Sequence, residues 1–225
     1  GIFALDWPLS RKIISCGFAF WIAQMAMGFI SLVYNGQLGK YGGDTAISVY
    51  AVVTSIMTFV IMPASGISQG IQPIVGNNFG AGKYRRVMAV LYQASAVSVA
   101  VTCLIWLAVL FFPQAILMAF GASEEMMSLG VTGLRVNFCV TPILEFVMLA
   151  TTFFQSLAKP LPSIVITFLR QILFLIPLIC LFPLRWGING IFAAQPVSDV
   201  LALALSAALV VRERRILYGK EVAGK

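Results

Sequence analysis

The sequence predicts an all-α integral membrane protein, a bundle of six transmembrane helices. Three observations carry this: 60% of the 225 residues are hydrophobic and 10% charged, mean hydropathy is +0.96, and Lys, Arg, Asp and Glu are missing from 13–39, 45–82 and 87–123. No amphipathic helix of a soluble domain stays apolar on every face over such lengths. The composition also removes function classes. With no His, the chain cannot build a Ser-His-Asp or Cys-His triad, an HExxH zinc site or a His-ligated haem, so an enzyme is not expected and neither is a resident cofactor. Cys16, Cys103, Cys139 and Cys180 stand singly in apolar runs and read as small buried hydrophobes, with no CxxC pair to suggest a metal or disulfide. The formal charge of +7 reads as a topology signal in so apolar a chain, and no nucleic-acid partner is expected.

Six apolar spans follow in order, 13–36, 47–75, 87–112, 128–155, 161–182 and 188–211, each of about 20 residues or more and able to cross a hydrocarbon core. The first carries no charge, with Gln24 and Asn35 as its polar groups. The second contains Pro63, Gly66, Gly70 and Pro73, which predict a bent helix; Gly66 and Gly70 form a GxxxG step suited to close helix packing. Residues 76–83, GNNFGAGK, invite comparison with a phosphate-binding loop, but GxxxxGK needs Gly where Asn77 stands, and Tyr84 follows the Lys. Their Gly and Asn content predicts a tight helix exit instead. The third span ends at Pro113. Ser123, Glu124 and Glu125 read as the N-cap and acidic first turn of the fourth, which contains Arg135 and Glu145. The fifth contains Arg170 and Gln171 and is interrupted by Pro177. The sixth contains Gln195 and Asp199, and a basic tail over 212–225 follows.

Charge asymmetry sets the expected direction. With the chain starting in the cytoplasm, inside segments carry Arg11, Lys12, Lys83, Arg85, Arg86, Lys159, Arg212, Arg214, Arg215, Lys220 and Lys225, against Lys40, Arg135 and Arg185 outside. Both ends are therefore expected to be cytoplasmic, with the basic tail held against anionic headgroups. Gly1 heads the chain and no signal-peptide pattern precedes the first span, as expected of a piece of a longer protein.

Ionisable groups inside spans must face a partner, a cavity or water. Counted from the inner turn near Ala158, Glu145 and Arg170 are each about 20 Å along their helices; counted from the outer turn near Arg185, Arg170 and Asp199 are equally deep. A midplane charge layer of Glu145, Arg170 and Asp199 is expected. Arg170 would neutralise one carboxylate and leave the other to bind H⁺ or Na⁺ reversibly, or the three would form a charge cluster that fixes helix register. Glu145 is the cation-coupling candidate, Na⁺ being the one metal in view. Gln24, Tyr50, Phe153, Phe154 and Gln171 are the cavity or substrate candidates, since aromatic faces stack on flat cations.

At these residues the sequence resembles the MATE (multidrug and toxic compound extrusion) family, specifically its C-terminal half. The carriers are YGGDTAISVY at 41–50, GISQGIQPIVGNNFGAGKYRRV at 66–87, FGASEE at 120–125, FFQSLAKP at 153–160, LRQILFLIPL at 169–178 and WGINGIFAAQPVSD at 186–199. The resemblance implies one lobe of a twelve-helix transporter in the bacterial cytoplasmic membrane. Its partner would be an N-terminal six-helix lobe missing from this chain, and its cargo organic cationic drugs exported by alternating access against H⁺ or Na⁺. Glu145 resembles the fourth-span carboxylate of Na⁺-coupled members, while the first span offers Gln24 and Met27 where those members have another carboxylate. A flippase for lipid-linked oligosaccharides from the same superfamily, or a non-transporting scaffold, is the alternative.

Overall fold

The computed structural model describes the backbone of residues 7–223 and the side chains of Met25, 27–159 and 161–219. The side chains of Arg11, Lys12, Cys16, Gln24, Lys220 and Lys225 lie outside that set. All regular elements among the described residues are helical. The first, α1 (Trp7–Gly80), is 74 residues long, about 110 Å of helix against a hydrocarbon core of about 30 Å. It cannot cross in one piece. Gly43, at φ 65° and ψ −162°, breaks it into arms 7–42 and 44–80, in a backbone region that glycine alone enters freely. A Cβ on neighbouring Gly42 would come within 2.5 Å of Ile188 Cδ1, so this turn is seated on the sixth span.

At the far end of the second arm, Lys83 N–H donates to the Asn78 carbonyl at 2.9 Å, Ala81 N–H donates to that of Asn77 at 3.0 Å, and Gly82 takes φ 68°. This is the helix exit expected from GNNFGAGK. The third span is α2 (Tyr84–Phe111). Pro113 ends it and opens the short α3 (Pro113–Ala119), where a missing N–H leaves no helical bond unmade. A 3₁₀ turn at Glu124–Met126 leads into α4 (Met127–Phe138) and α5 (Thr141–Ser156). Ser123 occupies the N-cap position but makes no side-chain capping bond. The expected hydroxyl cap is thus replaced by the acidic pair alone.

The fourth span is a broken helix, bent by 47° between α4 and α5. Pro142 has no N–H to return to the Phe138 carbonyl, and Thr141 Oγ1 donates to that carbonyl at 3.1 Å instead. The fifth span joins α6 (Pro160–Phe168), a π-helical segment at Leu169–Leu175 and α7 (Ile176–Leu181). Pro177 cannot bond the Leu173 carbonyl, and the helix widens just before it. The last helix, α8 (Pro183–Ala223), breaks at Gly187, φ 55° and ψ −138°, and continues through Arg212, Arg214 and Arg215. The basic tail continues the sixth span as helix as far as the described residues reach. Among the described residues four helices are long and apolar enough to cross a membrane, or five with α4–α5 counted as one bent span, and the break at Gly43 that divides α1 into two arms brings the segments of the bundle to six.

Central α5 contacts α1, α2, α6 and α8. Around it two apolar clusters form, one holding Tyr34, Leu38, Val53, Leu134, Phe138, Ile179 and Phe192, the other Ile71, Val75, Leu91, Phe153, Phe154, Ile166, Ala202 and Leu217. Between them along the helices fall buried polar residues: Ser68 on α1, Ser98 and Thr102 on α2, Thr141 and Glu145 on α5, Ser198 and Asp199 on α8. The bundle thus has a polar waist between two greasy halves. Large apolar side chains such as Phe59, Leu104, Phe111, Leu161 and Leu184 are 67–72% exposed, which suits a lipid-facing surface. Cys139 and Cys180 are also exposed, correcting the expectation that they are buried. Gly66 and Gly70 are exposed too, and a Cβ at either meets nothing within 4 Å. Their GxxxG step packs against no helix among the described residues.

Gly190 marks the tightest backbone approach, since a Cβ there would lie 2.6 Å from the Phe182 carbonyl carbon and oxygen. Gly190→Ala is expected to destabilise the protein by about 1–3 kcal/mol through overpacking, whereas Gly66→Ala leaves it unchanged. Thermal unfolding of the detergent-solubilised variants checks both, and equal midpoints would contradict the packing.

Candidate functional site

Two polar groups occupy the waist. The first borders an open cleft of about 430 Å³ lined by residues of both α1 arms, the π segment and α8, including Tyr34, Asn35, Tyr50, Thr54, Arg170, Gln171 and Gln195. Tyr34 and Tyr50 stack with ring centroids 4.6 Å apart and planes 17° apart. Gln195 accepts from the Tyr34 hydroxyl at 3.5 Å and donates to Asp199 Oδ1 at 3.2 Å. Arg170 Nη1 approaches the same carboxylate oxygen at 3.5 Å. Asp199 is 1% exposed, so the guanidinium and the amide are what compensate its charge.

The π segment explains how Arg170 reaches Asp199. Widening the helix frees backbone carbonyls, and Ser198 Oγ donates to that of Arg170 at 2.6 Å, which ties the widened turn to α8 one residue before Asp199. Backbone and side chain of Arg170 are thus both held by consecutive residues of α8.

The second group is Glu145, 0% exposed. It sits one turn into α5, just past the break at Cys139 and Val140, where the partial positive end of a helix faces the membrane interior. Ser98 Oγ donates to its Oε2 at 3.3 Å. Glu145 Oε1 and Thr102 Oγ1 are both buried and neither makes a hydrogen bond of good geometry, although the Thr102 hydroxyl lies beside the carboxylate, an expensive state for polar groups in an apolar interior. Glu145 Oε1, Ser98 Oγ and Thr102 Oγ1 are oxygen donors of the kind a hard cation takes. No group of three or more His, Cys, Asp or Glu gathers among the described residues, so hydroxyls would have to complete any coordination.

The structure therefore divides the expected three-charge layer. Arg170 and Asp199 form an ion pair, while Glu145 bonds to Ser98 and joins neither. Tyr50 and Gln171 line the cleft, and the side chain of Gln24 is outside the described residues. Phe153 and Phe154 do not reach the cleft: they are 0% and 1% exposed, in edge contact at 5.5 Å within the second apolar cluster. In this structure they pack in the core and present no face to the cleft. Sequence reasoning missed Ser98 and Thr102, whose spacing of four on a charge-free span places both on one helix face. It also missed the π segment and the break at Pro142.

Fold and waist together define a multi-pass helical membrane protein with a polar mid-depth site, the architecture of a transporter. The model of the MatE family matches residues 20–181, and the chain belongs to that family, whose members are transporters and not enzymes. Among curated relatives, it is 22% identical over 157 residues to the FAD transporter of Shewanella oneidensis, covering 70% of this chain and 35% of that protein. To the multidrug export protein MepA of Staphylococcus aureus (strain MSSA476) it is 23% identical over 203 residues, covering 89% and 44%. Among solved structures, the MATE multidrug transporter DinF-BH superimposes with TM-score 0.79 at 32% identity, over 95% of this chain and 48% of that one. An inward-facing MATE family transporter gives TM-score 0.88 at 14% identity, covering 96% and 50%, a likeness of fold. The chain spans about half the length of these solved proteins, one six-helix lobe.

Arg170→Gln strands Asp199 in an apolar interior and is expected to destabilise the fold by about 3–5 kcal/mol. Adding Asp199→Asn should restore most of it. Thermal midpoints and membrane yields test this, and an Arg170→Gln variant as stable as the parent would rule out a structural ion pair.

Proposed function

We propose that the chain is the C-terminal lobe of a secondary active multidrug antiporter. The complete protein exports organic cations or related xenobiotics in exchange for H⁺ or Na⁺, by alternating access between this lobe and an N-terminal six-helix lobe. One observation carries the reading: Glu145 is a fully buried carboxylate with an oxygen left unpaired. Such a group is relieved by taking up a proton or a small cation, so the loaded and empty lobes differ in free energy. A difference of that kind is what an ion gradient needs to bias one conformation over another.

The cleft supplies the substrate side. Tyr50, backed by the buried Tyr34 stacked on it, offers an aromatic face for a flat, cationic molecule, and Asn35, Gln171 and Gln195 supply adaptable hydrogen bonding. Arg170 is neutralised by Asp199, so this pair adds no net positive charge to the cleft. That favours drug export over a lipid-linked oligosaccharide flippase, which needs a cationic groove. The protein would reside in a bacterial cytoplasmic membrane with its basic segments, and hence both ends of this chain, on the cytoplasmic side.

In the complete transporter, Glu145→Gln is expected to lower ion-driven dye efflux at least tenfold with expression preserved, because the amide can carry neither proton nor ion charge. Unchanged efflux with unchanged ion dependence would remove Glu145 from coupling and leave it a structural role. Tyr50→Ala should weaken export of planar aromatic cations by up to about tenfold, with Tyr50→Phe close to the parent, as ring stacking requires. Equal loss in both variants, read as KM for dye efflux, would assign the effect to the hydroxyl and not the ring.

A further inference from the structure

A second concavity, of about 490 Å³, lies where the turn into α6 meets the last turns of α8, lined by Phe154, Lys159, Leu161, Leu209, Arg212 and Glu213 among others. Its depth in the bilayer follows from its neighbours. Leu161 opens an apolar span that runs to Leu181 and is itself 72% exposed, while Arg212 begins the basic end of α8. The concavity therefore straddles the boundary between hydrocarbon and headgroups.

Its charge balance is positive. Glu213 is 6% exposed and bound to Lys159, so its charge is spent on that pair. The Lys159 ammonium has three donors and gives one to Glu213, leaving two. Arg212 is exposed and makes no ion pair among the described residues. The first turn of α6 has no side-chain cap, and with Pro160 and Pro162 lacking an N–H only Leu161 and Ser163 offer backbone donors there. Below these groups, on the hydrocarbon side, Leu161 and Leu209 form an apolar wall. Cations above an apolar groove at the membrane boundary match a molecule with a phosphodiester head and hydrocarbon tails.

We infer that this concavity binds an anionic phospholipid, its phosphate held by Arg212 and Lys159 and an acyl chain laid along Leu161 and Leu209. The site is remote from the Tyr34–Tyr50 cleft and independent of the transport reading. The lipid would bridge α6 and α8 beside the Lys159–Glu213 pair, joining the fifth and sixth spans at this membrane face.

Native mass spectrometry of the complete protein, titrated with phosphatidylglycerol or phosphatidylcholine, tests this. The parent should retain one tightly bound phosphatidylglycerol that phosphatidylcholine does not replace. Arg212→Gln should weaken its binding about fivefold, the contribution of one basic group near a membrane surface, while Arg215→Gln, on the same helix but outside the concavity, leaves it unchanged. Leu209→Trp, which fills the groove without altering charge, should also lose the lipid and decides the matter if Arg212→Gln fails to fold. Equal retention in Arg212→Gln or Leu209→Trp, equal loss in Arg215→Gln, binding of phosphatidylcholine in place of phosphatidylglycerol, or displacement by millimolar inorganic phosphate would each overturn the assignment.

Discussion

A backbone in hydrocarbon has to satisfy its own polar groups, and every departure from helix in this protein is arranged under that constraint. The breaks at Gly43 and Gly187 fall at the turns between spans, where headgroups and water are close. Two further breaks fall within spans, and each is covered by a hydroxyl: Thr141 Oγ1 on the Phe138 carbonyl, Ser198 Oγ on that of Arg170. These two interior breaks are also where the charges sit. The bend before α5 precedes Glu145 by one turn, and the π segment carries Arg170 itself. Irregular backbone and buried charge thus occur together in the waist, each surrounded by the polar groups the other requires.

That coincidence explains why the waist separates two apolar clusters instead of interrupting one. Phe153, Phe154, Leu91 and Ile71 pack on one side of the polar residues, and Phe138, Phe192, Leu38 and Val53 on the other. Glu145 and Asp199 share the waist but not their partners, so the charge state of one can change without unpairing the other. Arg170 and Asp199 join α8 to the fifth span, and Glu145 joins α5 to α2.

Much of this was legible in the sequence. Long charge-free intervals gave the spans, Pro113 and the GNNFGAGK stretch marked helix ends, and counting residues placed Glu145, Arg170 and Asp199 at similar depth. Depth is a property of rise along a helix, which composition leaves nearly constant. Azimuth is not. A π turn carries an extra residue, and one residue of slip swings later side chains by about 100°, so counting from Arg185 across the π segment could not show which carboxylate Arg170 meets. The bend at Pro142 re-aims Glu145 in the same way, toward Ser98. Phe153 and Phe154 were read from their ring chemistry, but two adjacent aromatics on the central helix of a bundle face neighbours on both sides. The basic tail went unrecognised as helix because charge marks the end of an apolar span without marking the end of its hydrogen-bond ladder.

The continuous arm of α8 past Gly187 puts Asp199 and Glu213 on one rigid rod, about 21 Å apart along its axis. A lever with its fulcrum at the waist moves its far end by roughly 4 Å for every ten degrees of tilt, given that rise per residue. That stroke exceeds the reach of a hydrogen bond, so when α8 swings about Asp199 the Lys159–Glu213 pair stays joined only if the Lys159 stem re-extends or the α5–α6 turn travels with it. The fifth and sixth spans are thus coupled at their membrane-boundary end, where a small rotation at mid-depth is felt as a pull on that corner.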